Sequence, residues 1–405
     1  MPMPANKKKI SGSQTEKLKF QLAAKNRELD IENALEHVRA VALMMNKPAD
    51  MLRICKTISQ QLTRLGVQEI RNVQTAIFYE SRGTYMNYEY YAKHKKTFIT
   101  ETVYTNHKVA KAFAAKMLKG KGEFSFTHIR GNKVRDWLAY QKTTNVFIDR
   151  FLEKAGSLTY YWYSLGPVAL GISTYVPLKD GEINLFKRFL NVFELAYTRY
   201  LDIEQAIAQA REARIEASLE KVRAQALGMR KSADLPIVCE VLYKELKKSG
   251  FSELRNAMVN IHDDEKRTFI NYDYSDEIGK SITPLFYDIH PVIKKQVKQI
   301  RSADDAFSET VFKGKDLESW KAFRKGRGEK EDRRIKNSTA LYYYFYSIGT
   351  GSIGISTFNA ISKEKQDLLK RFRNVFSFAY RRYMDVAQAE AQARESQIQL
   401  ALERV

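Results

Sequence analysis

The sequence predicts an α+β chain in which one module is built twice. Each copy is an antiparallel sheet with flanking helices, and the copies are joined by long coiled-coil-type helices. Three observations predict this. The chain repeats itself at a spacing of 184 residues that shortens to 183 within each copy. Helix-period apolar stripes alternate with short strand-like segments inside each copy. Long charged stretches without glycine or proline follow each copy.

The repeat comes first because a fixed internal period marks a repeated structural unit. At an offset of 184, Asp50 matches Asp234, Cys55 matches Cys239, Gly66 matches Gly250, Arg71-Asn72 matches Arg255-Asn256, and Asn87-Tyr88 matches Asn271-Tyr272. At 183, His107 matches His290, Trp137 matches Trp320, Tyr160–Gly166 matches Tyr343–Gly349, and Gly171–Thr174 matches Gly354–Thr357. Residues 186–203 and 369–386 agree at 11 of 18 positions. One residue is therefore deleted in the second copy. The helical lead-in also recurs, at Arg27–Arg39, Arg211–Arg223 and Arg394–Arg404, and the third stops at Val405. The simplest expectation is that the natural protein continues or that its gene is truncated.

In chain order, residues 1–26 form a basic N-terminal tail with Lys7, Lys8 and Lys9. Residues 27–46 form a linker helix and residues 47–203 the first module. Residues 204–229 form a second linker, residues 230–386 the second module, and residues 387–405 the start of a third linker. The first module opens with a helix whose stripe is Leu52, Cys55, Ile58, Leu62 and Leu65, ending near Gly66. Strands are expected around Val73–Tyr79 and Thr84–Tyr91, and helices near Lys108–Leu118 and Val134–Tyr140. An aromatic hairpin spans Leu158–Tyr175 and a last helix begins near Glu182. Glu182–Leu227 contains no Gly or Pro, so a continuous helix there reaches roughly 70 Å. Ile31, Leu35, Val38, Ala42 and Met45 step 4-3-4-3, as do Ile215, Leu219, Val222, Ala226 and Met229. One narrow apolar seam with charged flanks predicts a parallel homodimer through a coiled coil, the alternative being a helix packed on its own module. Ile31, Leu35, Val38, Ile215, Leu219 and Val222 are the expected dimer seam.

The 405 residues carry 68 Lys and Arg against 47 Asp and Glu, a net charge of +21. Such charge raises nucleic acid as a partner. It is spread along the chain, however, densest over 313–336 with ten basic and five acidic residues, so a basic nucleic-acid-binding protein is the alternative rather than the leading reading. Two cysteines, Cys55 and Cys239, allow no disulfide framework and suit a reducing cytoplasm. The N-terminus has no apolar core of a signal peptide. The charge-free runs 155–178 and 337–362 are broken by turn residues and read as strand pairs, so no membrane span is expected.

The linker segments 208–224 and 215–229, with module endings of the form Arg-Phe-x-Asn-Val-Phe-x-x-Ala-Tyr-x-Arg-Tyr-x-Asp, resemble the tandem GAF-like sensory repeats at the N-terminus of Bacteroidetes-type multidomain sensor histidine kinases. The resemblance covers about residues 27–405. It implies a cytoplasmic, dimeric input region followed in the same polypeptide by an effector, a histidine kinase or nucleotide cyclase, and it names no ligand. The Asn-Lys-Phe-Asp-Glu signature of cyclic-nucleotide-binding members is missing.

Candidate pocket residues are His107, Trp137 and Tyr88 in the first module and His290, Trp320 and Tyr272 in the second. The histidines could contact a ligand or begin a helix, and the tryptophans could line a pocket or close the core. Cys55 and Cys239 fall on the apolar stripe and read as small buried hydrophobes. His37 neighbours Glu36 on the linker, but Lys221 and Arg404 replace it in the other linkers, so it reads as a solvated flank. No Walker loop, nucleophile elbow or metal-ligand spacing occurs, so no catalytic residue, metal or cofactor is expected of this chain. The expected function is sensory input and dimerisation for a downstream effector, with an unidentified small molecule as a possible ligand.

Overall fold

The computed structural model describes residues 12–106, 108–143, 147–230, 232–327, 332–349 and 351–402. They form two compact units, Met1–Ala208 and Gln209–Val405. The first contains α1 (Gly12–Leu43), α2 (Met51–Arg64), β1 (Ile70–Tyr79), β2 (Thr84–Tyr91), β3 (Lys96–Val103), α3 (Lys108–Met117), β4 (Phe124–Arg130), α4 (Asn132–Gln141), β5 (Ser157–Ser164), β6 (Val168–Thr174) and the first part of α5 (Asp180–Leu227). The strands make one antiparallel sheet in the order β3-β2-β1-β6-β5-β4.

Alternation along the strands gives this sheet two different faces. On the helical face, Val73 and Ile77 of β1, Leu170 and Ile172 of β6, and Tyr161 and Tyr163 of β5 pack with Ile54, Ile58 and Leu62 of α2 and with Phe186, Phe189 and Phe193 of α5. On the distal face, Ala76, Phe78, Trp162 and Ala169 are covered by Ala114 and Met117 of α3. Trp162 lies flat across its strand partner Gly171, where an added Cβ would sit 2.5 Å from the indole. That close approach is why glycine occupies the position.

The linker helix belongs to this core. Ile31, Leu35, Val38, Ala42 and Met45 are buried among the side chains of α2 and α5. Arg188 on α5 makes a two-pronged ion pair with Glu28 (2.9 and 2.6 Å) and a further contact to Glu32 (2.5 Å), so α1 runs alongside the start of α5. The 4-3-4-3 stripe is narrow, and α1 meets its own module along that one line. The expected seam residues Ile31, Leu35 and Val38 thus face inward.

The second unit repeats this plan. After the last part of α5 come α6 (Leu235–Lys248), β7 (Leu254–Asp263), β8 (Thr268–Ser275), β9 (Gly279–Phe286), α7 (Pro291–Ile300), β10 (Phe307–Lys313), α8 (Gly314–Gly326), α9 (Arg333–Lys336), β11 (Ala340–Ser347), β12 (Gly351–Thr357) and α10 (Lys363–Leu402). The strand order β9-β8-β7-β12-β11-β10 is that of the first sheet. Ile215, Leu219, Val222, Ala226 and Met229 are buried against α6 and α10, and Arg371 holds Glu212 and Glu216 as Arg188 holds Glu28 and Glu32. Ile215, Leu219 and Val222, like their counterparts, face their own module. Among the described residues no helix is long and apolar enough to cross a membrane.

Candidate polar site on the distal face

The pairing of β1 with β6 slips by one residue between Ile70 and Asn72, leaving Arg71 without a cross-strand partner. The same slip skips Arg255 between β7 and β12. A bulge of this kind re-aims a side chain. Here it sends the arginine onto the distal face beside the asparagine that follows it.

In the first module Arg71 is buried, and its Nε donates to Asp149 Oδ2 at 3.0 Å. Asp149 accepts also from Tyr175 Oη at 2.6 Å and from the Phe151 N–H at 2.9 Å, and it lies 2.8 Å from His94 Nε2. Burial pushes the Asp149 carboxyl up, but the hydrogen bonds from Tyr175 and His94 together with the Arg71 charge hold it below its ordinary value. Asn72 donates to Glu89 Oε1 at 2.9 Å and accepts from Ser173 Oγ. Trp137 Nε1 donates to Tyr160 Oη at 3.1 Å, which itself faces an Arg71 Nη1 donor at 3.5 Å.

The second module builds the same constellation from the equivalent residues. Arg255 Nε lies 3.2 Å from Asp332 Oδ2, Asn256 donates to Asp273 at 2.7 Å and accepts from Ser356 Oγ, and Trp320 Nε1 donates to Tyr343 Oη at 3.1 Å. The position served by His94 is taken by Arg334, which donates to Asp332 through Nε and Nη2, each at 3.0 Å. A cavity of about 80 Å³ lies here, lined by Asn256, Met258, Phe269, Trp320 and Tyr343 among others.

Trp137 and Trp320 therefore reach the site: Trp137 holds Tyr160 beside Arg71, and Trp320 holds Tyr343 in the wall of the cavity that Arg255 also lines. His290 begins α7, its Nδ1 accepting from the Val292 N–H at 3.2 Å, with its ring against Trp320 and Phe323. His107 lies outside the described residues. Tyr88 and Tyr272 are on the other face of the sheet, in the helical core, where Tyr88 packs edge-on against Tyr200. One step along a strand reverses the face, and it is Asn87, Glu89, Asn271 and Asp273 that point to the site. Cys55 and Cys239 sit under the carbonyls of Tyr88 and Tyr272, and burial pushes the Cys55 thiol up to about 12. Asp149 and Asp332 were not expected. They share the 183-residue offset and a following arginine, a signal the repeat carries once Arg71 and Arg255 are known to need a counter-ion.

No family model matches the chain, and no curated protein matches it. Among solved structures, a bacteriophytochrome from the photosynthetic bacterium R. palustris aligns with 82% of this chain at 8% identity and a TM-score of 0.34. The alignment spans 62% of that protein's own length.

Proposed function

We propose that the chain is the sensory input region of a signal-transduction protein. In this reading each GAF-like module takes a small molecule on the distal face of its sheet and passes the change along its exit helix to an effector, a histidine kinase by resemblance of the linkers. The observation that carries the reading is the duplication of one buried polar constellation, bulge arginine with buried aspartate, asparagine with acid, and tryptophan with tyrosine, on a face away from the helical core. Burying so many polar groups twice is costly for mere packing. The connection to the exit helix is short: Ser173 on β6 and Tyr175 just beyond it both touch the site, and α5 begins at Asp180.

A thermal-shift screen of the full chain against a metabolite library, followed by hydrogen exchange with any stabilising compound, tests this. Slower exchange is expected in β1, β2 and β6, or in β7, β8 and β12, together with altered exchange along α5 or α10. Protection confined to the sheet would remove the relay. As part of the same proposal the chain catalyses nothing alone and pairs with a second copy through exposed flanks of its long helices, since the seam is used internally. Autophosphorylation by this chain, or a monomeric mass in light scattering, would contradict those parts.

A further inference from the structure

Glu89 on β2 is 2% exposed. Its Oε1 accepts from Asn72 Nδ2 at 2.9 Å and Tyr91 Oη at 3.0 Å, while its Oε2 has no protein partner. Other buried polar atoms without a protein partner surround it on the same face. Gln74 Nε2 is directly across on β1, Asn87 Oδ1 is two residues along β2, Thr100 Oγ1 is across from Asn87 on β3, and Arg71 Nη2 is at the bulge. All five side chains are 9% exposed or less. A buried polar group left unpaired costs about 1–3 kcal/mol. Five neighbours in that condition across adjacent strands do not suit a site whose task is packing. Their chemistry has a direction. Arg71 commits its Nε to Asp149, and among the described residues no lysine or arginine forms a direct ion pair with Glu89, although burial raises the Glu89 carboxyl and the Arg71 charge opposes that rise. The open groups are then the Glu89 and Asn87 oxygens, both acceptors, beside the amide donor of Gln74, the Nη2 donor of Arg71 and the Thr100 hydroxyl.

We propose that the first module binds a small nitrogenous molecule, an amidine or the amino edge of a nitrogen heterocycle, whose N–H groups donate to Glu89 Oε2 and Asn87 Oδ1 and whose acceptor atom takes the Gln74 amide. This rests on the sensor reading and gives it a ligand class. The second module differs at the deciding position. Met258 replaces Gln74, Asp273 replaces Glu89, and Phe269, Phe312 and Phe345 line its cavity, so it should not take the same ligand.

The test uses the full chain with acetamidine and 2-aminopyrimidine as probes, and with benzoate and cyclohexanol as an anion and an apolar compound of similar size. Binding is read by ligand-observed NMR at millimolar concentration. The two nitrogenous probes should bind, Glu89→Gln should weaken them about tenfold, roughly the loss of one charge-assisted hydrogen bond, and Gln74→Met should weaken 2-aminopyrimidine. The melting temperature of unliganded Glu89→Gln should not fall, which separates a binding role from a structural one. If that variant does not fold, Gln74→Met alone decides. Equal binding by the variants, or silence of all four compounds, overturns the inference. Binding of benzoate or cyclohexanol while the nitrogenous probes stay silent overturns the ligand class and leaves the sensor reading intact.

Discussion

Arg71 and Asp149 are 78 residues apart in sequence and both almost fully buried. Such a pair adds little net stability while whole, yet removing one partner strands a buried charge. Arg71→Met should therefore cost about 3–5 kcal/mol in the first module, and Arg71→Met with Asp149→Leu should recover much of it. Urea unfolding of the three chains checks this, and two equally damaged variants would show that the pair is not the source. His262 supplies a pH prediction in the second module. Its ring is packed against Phe269 and Tyr287, its Nδ1 has no protein partner, and burial with the nearby Arg301 outweighs Asp264 to bring it down to about 4. A depressed histidine is neutral in the fold, so its contribution is present above the ordinary value near 6.5 and is lost as pH falls towards 4. The second module should lose about 3 kcal/mol over that window, and His262→Phe should flatten the dependence in denaturant titrations at several pH values. At this scale the sequence was partly legible. The matched pair Arg71-Asn72 and Arg255-Asn256 stood out in the repeat, but nothing local said that a bulge would turn the arginine inward to an aspartate far along the chain.

Elements were more legible where burial is one-sided and less where a strand lies at the sheet edge. The aromatic hairpins were evident because Tyr160–Tyr163 and Tyr343–Tyr346 alternate between two buried faces. β3 and β9 were not foreseen. They are edge strands whose exposed positions mix polar and apolar residues, Thr97, Ile99, Glu101 and Val103 in β3 and Lys280, Ile282 and Phe286 in β9, so no clean alternation marks them, and β9 carries Pro284, which suits an edge. β4 and β10 close the opposite edges and were missed for the same reason. The central strands offer a sharper test. An added Cβ at Gly171 or Gly354 would meet the ring of Trp162 or Phe345 at 2.5 or 2.2 Å. Gly171→Ala and Gly354→Ala should each destabilise their module by about 1–3 kcal/mol, the cost of overpacking. Gly181→Ala, in the first turn of α5 with nothing within 4 Å, should be neutral or raise stability by up to about 1 kcal/mol. Thermal denaturation of the three variants checks the contrast.

Over the whole molecule the sequence placed the long helices well but did not show that their apolar stripe packs on its own module. Glu182–Leu227 was expected as one helix and α5 spans Asp180–Leu227. The apolar stripe was read as a joint between chains because its 4-3-4-3 spacing is the same whether the groove it fills belongs to a partner or to its own module. The consequence for the module border is testable. A border at residue 230 leaves Ile215, Leu219, Val222, Ala226 and Met229 behind, all of them part of the second core. A border between Ala208 and Gln209 keeps them, and it falls within residues 204–214, every one of which is exposed. Uncovering the surface these side chains bury removes about 1.5–3 kcal/mol for each of the larger ones. The sum, on the order of 10 kcal/mol, rivals the 5–15 kcal/mol that typically separates a folded domain from its unfolded chain. Residues 209–405 should therefore give a single cooperative transition with native near-ultraviolet circular dichroism. Residues 230–405 should not, and should expose apolar surface to a hydrophobic dye. Adding a synthetic peptide of residues 209–229 should restore part of the signal. Cooperative folding of 230–405 by itself would mean that the stripe contributes little to the core, and the coiled-coil reading of Ile215, Leu219 and Val222 would regain its ground.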